Sequence, residues 1–239
     1  MDPRPAVTAR HVGQRLWNGL IDTLFPPRCG GCLAEGSLWC SSCAASLVFV
    51  QPPTCDKCGE PNTHGLCHNC QAQLPQIETI YSIAIFDGQL RHAVHRFKYE
   101  RMSSLAEPFG KILYDYWHAR SLHADWLIPV PLHAARQRER GYNQAELLAQ
   151  QLSRHINVPT LPVGLRRTRV TKVQMQLNAA ERKVNVAGAF ACDDRRVSGR
   201  RIVVIDDVCT TGATMDACAI ALLQAGAASV IGLTLARTP

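Results

Sequence analysis

Two adjacent carboxylates, Asp206 and Asp207, follow the apolar run IVVI at residues 202–205 and lead into the hydroxyl-rich loop CTTGAT at residues 209–214. An apolar, β-branched run of this kind reads as a buried central strand. Open α/β folds bind ligands where the chain leaves such a strand at its carboxyl end. Gly212 is able to take a positive φ, so backbone N–H groups of Thr210, Thr211, Gly212, Ala213 and Thr214 line an anion cradle. A helix capped by Thr214 is expected next, its first amides adding to the same site. A phosphate in the loop, with two carboxylates above it accepting from vicinal hydroxyls, describes a ribose 5-phosphate. The loop is neither a Walker A sequence, since no GK[ST] follows, nor a dinucleotide fingerprint, since GxGxxG is missing. Cys209 reads as a small filler rather than a nucleophile.

A second basic segment, WLIPVPLHAARQRERGYNQAELLA, ends an apolar strand in Pro129 and Pro131 and then offers Arg138, Arg140 and Gly141 before a helix. Guanidinium forks at a strand's end suit a diphosphate, which accepts their donors bidentately. A third segment, RVTKVQMQLNAAERKVNVAGAF, is polar and basic, with too few apolar residues for a core element. It reads as a lid, with Gln174, Arg182 and Asn185 as candidates for closing over ligand; a plain surface excursion is the competing reading.

Eight cysteines between Cys29 and Cys70 form four C-x2-C pairs, CGGC, CSSC, CDKC and CHNC. Nothing at the start of the chain resembles a secretory signal, so a reduced, cytoplasmic setting is expected, where such pairs bind metal rather than form disulfides. Two C-x2-C knuckles complete the four-thiolate shell that zinc prefers, and four knuckles suit about two zinc ions. Neighbouring pairs group Cys29, Cys32, Cys40 and Cys43 in one site and Cys55, Cys58, Cys67 and Cys70 in the other, with interleaved pairing as the alternative. His64 and His68 read as bystanders. Without an open coordination position these sites are structural, supplying folding energy that so small a segment lacks in its own core.

The elements that must hold these groups are legible in outline. ETIYSIAIF, ADWLIPV, NVPTLPV, RRIVVID and ASVIGLTLA read as strands, and RHAVHRFKY, LAEPFGKILYDYWHA, NQAELLAQQLSRHI and TMDACAIALLQA as helices. Their alternation predicts an α/β fold with a mostly parallel sheet. Asn143 with Glu146 resembles a capping box, and Gly226 stands where a helix ends. HVGQRLWNGLIDTLF reads as an amphipathic helix ahead of the cysteines. The expected division is 1–75 for this helix and a double zinc-ribbon module, and 76–239 for the sheet domain. The chain carries no convincing internal repeat, no low-complexity tract and no apolar run long enough to span a bilayer. A net charge of +7 and a pI near 9.0 favour anionic partners without choosing among nucleotides, sugar phosphates and nucleic acid.

The stretch IVVIDDVCTTGAT resembles the PRPP-binding motif of type I phosphoribosyltransferases. That resemblance implies that Asp206 and Asp207 hold the ribose hydroxyls, that residues 210–214 bind the 5-phosphate, and that magnesium accompanies the pyrophosphate. Together with FPPRCGGC, FKYERM, PVPLHAARQRERGYNQAELLA and TRVTKVQMQLNAAERKVNVAGAF, the chain is similar to the ComF/GntX family, competence protein F and its relatives, over nearly its whole length. The family implies a zinc-ribbon module before a phosphoribosyltransferase-like domain. It also implies a link to natural transformation or the use of external DNA, with proteins of the competence machinery as partners, and it raises Lys98 to a pocket residue. Two functions follow as expectations. One is pentosyl transfer from Mg-PRPP to an unnamed acceptor, with Asp206, Asp207 and Arg140 at the reacting centre. The other is a non-catalytic protein that binds single-stranded DNA and uses the PRPP site as a sensor.

Overall fold

The computed structural model of the protein describes residues 26–161, 164–169 and 185–239. The expected N-terminal helix and most of the expected lid, including Gln174 and Arg182, lie outside them.

Four parallel strands make the main sheet, in the order β1-β6-β5-β2: β1 (Ile80–Ile85), β2 (Trp126–Pro129), β5 (Arg201–Cys209) and β6 (Ser229–Arg237). A short antiparallel pair, β3 (Arg166–Arg167) and β4 (Phe190–Ala191), stands apart from it. The helices are α1 (Ser41–Ala45), α2 (His68–Ala72), α3 (Gly88–Tyr99), α4 (Ala106–Ala119), α5 (Ala134–Arg140), α6 (Gln144–Ile156) and α7 (Ala213–Gln224).

Strand alternation divides the core. Ile202 and Val204 pack with Met215, Cys218 and Leu222 of α7 on one face. Val203 and Ile205 pack with Phe97, Phe109, Leu113 and Leu152 of α3, α4 and α6 on the other. Because helices cover both faces, the successive residues Ile202, Val203, Val204 and Ile205 of β5 are all buried, which is why this part of its sequence is a continuous apolar run. Burial of one such side chain contributes about 1.5–3 kcal/mol.

Several expectations are corrected. Over its described residues 157–161, NVPTLPV forms no strand but one parallel bridge between Thr160 and Leu127; Leu161 N donates to Leu127 O, while Pro159 lacks the donor that would extend the ladder. Helix α5 occupies what read as a loop, and Gly141 at φ 83° ends it. The α7 helix begins one residue before Thr214, with Gly212 rather than Thr214 at its cap. At α6, Asn143 Oδ1 accepts from Ala145 N at 3.1 Å, while Glu146 turns to Gln150, so only half of the capping box forms.

The cysteine segment is an internal duplication that sequence similarity outside the cysteines does not reveal. In each half a knuckle turn is closed by an amide–carbonyl bond, Leu33 N to Cys29 O and Gly59 N to Cys55 O. In each half a short helix then opens directly after the third cysteine, Cys40 before α1 and Cys67 before α2. Between the halves, residues 48–50 cover the outer edge of β1, with Val50 N donating to Ile83 O and Ile85 N to Val48 O. That removes an exposed sheet edge. Among the described residues no helix is long and apolar enough to cross a membrane.

Candidate functional site

Strand β2 ends at Pro129, opposite Ile205, so β5 continues from Asp206 with that flank open. This is the crevice in which open α/β sheets take ligands. Both carboxylates lie within β5 rather than beyond it, and period-two alternation sends them to opposite faces.

Asp207, on the α3 side, is 5% exposed and meets Lys98 Nζ at 2.8 Å. A lysine that otherwise reads as a helix-end charge is therefore the counter-ion of a buried carboxylate. Asp206 faces α7. Its Oδ1 accepts from Asp207 N at 2.9 Å, and its pKa is pushed up to about 7, first by burial and then by the Asp207 charge, against the pull of Lys98 and Arg167. The Asp206 proton is thus held more tightly than on an exposed carboxyl.

Beyond them the chain turns through Thr210 and Thr211 to Gly212, which sits at φ 79° and starts α7. Gly212 also packs near Ile80, a Cβ there coming 2.8 Å from the mobile Ile80 Cδ1, so it is the left-handed backbone that calls for glycine. Thr211 Oγ1 accepts from Ala213 N at 3.4 Å. The loop with Asp206, Cys209 and Met215 lines a small cleft at the N-terminus of α7, where the positive end of the helix dipole favours an anion. Cys209 is buried and its thiol is pushed up to about 11 by that burial, in keeping with a filler role.

Arg140, at the end of α5, stacks over Tyr99 at 5.0 Å and donates to Gln144 Oε1 at 2.9 Å. Tyr99 follows Lys98 in α3, so Arg140 stands on the same side of the crevice as the Lys98–Asp207 pair. Gln144 is itself held by Phe97 O at 3.1 Å. Arg138 is exposed on α5. Asn185 contributes a backbone carbonyl to Arg169 at 3.2 Å.

Two arginines absent from the sequence-level site belong to its surroundings. Arg167, over the Phe190 ring at 5.4 Å, is close enough to Asp206 for each charge to act on the other, and burial depresses its own pKa. Arg237 is fully buried at the end of β6 and touches the loop through Thr210 O at 3.3 Å. In the sequence, Arg166, Arg167 and Arg169 stand close together, a local signal for Arg167; no local pattern singles out Arg237.

The eight cysteines gather as neighbouring pairs. The sulfurs of Cys29, Cys32, Cys40 and Cys43 lie within 4.8 Å of one another, as do those of Cys55, Cys58, Cys67 and Cys70. Contacts of 3.6 Å join Cys29 to Cys43, Cys32 to Cys40 and Cys58 to Cys67. These are far longer than a disulfide of about 2.05 Å. They approach the roughly 3.8 Å that tetrahedral zinc with bonds of about 2.3 Å imposes on its sulfurs. Each half also aims an amide at its first sulfur, Cys40 N at Cys29 (3.4 Å) and Cys67 N at Cys55 (3.3 Å). Burial pushes these two thiols up, but the surrounding backbone donors outweigh it and bring both to about 6. The sites fit structural zinc, and neither His64 nor His68 joins them. Among the described residues no third ligating group joins Asp206 and Asp207, so magnesium there would draw most of its ligands from phosphate oxygens and water, as it prefers.

A larger cavity, about 380 Å³, lies against β1 and is lined by Val50, Asp56, Glu78, Tyr81, Tyr116 and Arg120 among others. It contains no part of the residue 210–214 loop or the carboxylate pair.

Comparison with known proteins finds two family models in separate parts of the chain. Residues 20–71 match the family model described as double zinc ribbon domain, and residues 140–239 match phosphoribosyl transferase domain. The chain is 35% identical over 206 residues to the DNA utilization protein YhgH of Shigella flexneri, covering 83% of this chain and 90% of that one. It is 32% identical over 207 residues to competence protein F of Haemophilus influenzae, with the same coverage. Among solved structures, it is similar to the glutamine PRPP amidotransferase from B. subtilis, at 23% identity and a TM-score of 0.38 over 55% of this chain. The match spans about a quarter of that enzyme, 26% of its length.

Proposed function

The chain belongs to the ComF/GntX family of competence protein F and its relatives, and from that membership we propose that it binds PRPP with magnesium and acts in the handling of imported DNA. The observation that carries the ligand reading is the adjacency of the Asp206–Asp207 pair to the left-handed Gly212 turn at the head of α7. Few ligands present a phosphate and vicinal hydroxyls at that separation; a ribose 5-phosphate does. The names of the relatives, one for competence and one for DNA utilization, support the cellular role.

In this reading the amides of residues 210–214 hold the 5-phosphate. Asp206 and Asp207 accept hydrogen bonds from the ribose hydroxyls, and binding relieves the repulsion between them by giving each carboxylate donors. Arg140, with Arg138 beside it on α5, meets the diphosphate. Lys98 neutralises Asp207 in the ligand-free site and is within reach of the diphosphate as well. Magnesium, when bound with the ligand, supplies positive charge to the departing pyrophosphate. For pentosyl transfer, the bond from C1 to the pyrophosphate oxygen breaks, a bond from C1 to an acceptor nitrogen forms, and the acceptor's proton passes to solvent or pyrophosphate. No residue of the chain need become covalently attached, so its contribution is positioning and electrostatics.

Titration of Mg-PRPP into the parent and into Asp206→Asn/Asp207→Asn tests the ligand. Binding is expected to weaken by at least about a hundredfold in the double variant, since each lost charge-assisted contact is worth about 1.5–3 kcal/mol. Equal affinity in the two proteins would remove the basis of the assignment. Pyrophosphate release on adding nucleobases, amines or single-stranded DNA then distinguishes a transferase from a sensor.

A further inference from the structure

The second cysteine centre and the phosphate loop share a buried ligand of their own. Arg237 is the largest fully buried side chain among the described residues. Its backbone sits in β6 between Ile85 of β1 and Cys209 of β5, at the carboxyl ends of the strands. From there its guanidinium reaches in two directions. Nη1 donates to Cys58 O at 2.6 Å, and Nη2 is bonded to the Glu60 carboxylate, both within the knuckle that carries Cys55 and Cys58. Nη2 also donates to Thr210 O at 3.3 Å, the first residue of the phosphate loop.

Cys58 stands close to the loop, a Cβ built on Gly212 coming 3.6 Å from Cys58 Cβ, and the knuckle packs on β1, where a Cβ on Gly59 would strike Ile80 O at 2.5 Å. On the far side, Asp216 of α7 accepts from the amides of Gln76 and Ile77 at 2.6 and 3.0 Å, fastening the chain that leaves the knuckles to the helix behind the loop. The first centre leans elsewhere. Arg96 of α3 donates to the carbonyls of Gly30 and Gly31, and Gly30 lies against Leu105.

We propose that Arg237 is a positioning residue of the phosphate site: it fixes the Thr210 carbonyl, and with it the direction of the loop amides, to the Cys55/Cys58/Cys67/Cys70 centre. The guanidinium is planar and rigid, so it transmits the position of the knuckle to the loop through fixed donor angles. A buried charge held this way has no alternative solvent partners, which makes the arrangement all-or-none. The inference rests on the ribose 5-phosphate reading for its functional consequence, but not for its structural one.

The test uses the full chain with its metal bound, as parent, Arg237→Lys and Arg237→Met. Amide exchange read by mass spectrometry should be at least about tenfold faster across residues 209–214 in both variants, the factor expected when one buried hydrogen bond of about 1.4 kcal/mol is lost. Affinity for ribose 5-phosphate should fall by a similar factor, while affinity for Mg-pyrophosphate, which needs Arg140 rather than the loop, should stay within about twofold. Exchange at 209–214 that matches the parent's overturns the proposal, and so does equal weakening of both ligands. If the Met variant does not fold, the parent alone decides: saturating ribose 5-phosphate should slow exchange in the peptide containing residues 55–60, because coupling is reciprocal. No slowing there in a parent that binds the ligand also overturns it. A parent that binds neither probe refutes the function proposed above, and the exchange across 209–214 in the variants then judges Arg237 alone.

Discussion

Replacing Asp206 by asparagine should stabilise the ligand-free protein by its full amount at about pH 8 and by roughly a third of that at about pH 5. The Asp206 carboxyl is raised from 3.8 to about 7 by burial and by its neighbour Asp207. The folded state therefore holds this proton more tightly than the unfolded chain does. Its contribution to stability is complete below about pH 4, declines as pH rises through the interval to about 7, and is constant above that. The full interval corresponds to about 4 kcal/mol. Solvent entering the open flank of β5 screens the carboxylate and reduces the expected effect to about 2 kcal/mol. In a chain of 239 residues, that is about 4–8 °C in melting temperature. Calorimetry of parent and variant at about pH 5, 6.5 and 8 measures it, and the difference between the two cancels any acid loss of cysteine-bound metal common to both. Adding Mg-PRPP should then stabilise the parent more than the variant. A variant equally or less stable than the parent at pH 8, without ligand, would show that the paired carboxylates carry no strain and that the crevice is solvated like ordinary surface.

Lys98→Met should destabilise the protein by about 2–3 kcal/mol, because it strands a carboxylate that is 8% exposed; urea midpoints read the loss, and adding Asp207→Asn should recover most of it. Gly212→Ala should cost about 1–2 kcal/mol for the left-handed backbone alone. It should also weaken ribose 5-phosphate binding, since a side chain that disfavours the left-handed backbone shifts the loop; a fully stable, fully binding variant would mean that the turn is not the phosphate cradle. Metal analysis of protein purified without chelator should give about two zinc per chain, and Cys58→Ser should lower that to about one. A folded protein free of metal would contradict the coordination argument.

Much of this was legible in the residues. Four C-x2-C pairs announce two thiolate sites because tetrahedral geometry needs four sulfurs and a tight turn supplies them two at a time. Four of the five expected strands and the four expected helices of the sheet domain form, since buried parallel strands and amphipathic helices leave different apolar periods. NVPTLPV failed because an apolar run was credited without charging its prolines for their missing donors. Helix α5 was missed because AARQRER is polar all round, with no buried residue to give a period.

Residue types and order along the chain settled which groups are available: thiolates in C-x2-C pairs, two carboxylates at the end of a strand before a glycine turn, and arginines ahead of a helix. These are local properties, encoded within a dozen residues of one another. Which groups meet was decided only by the tertiary structure. Lys98 finds Asp207 because α3 packs on one face of β5. Arg167 nears Asp206 because alternation turns that carboxylate to the other face. Arg237 joins the second cysteine centre to the Thr210 loop across separations of 179 and 27 residues. Such contacts depend on strand order and register, which no local spacing records.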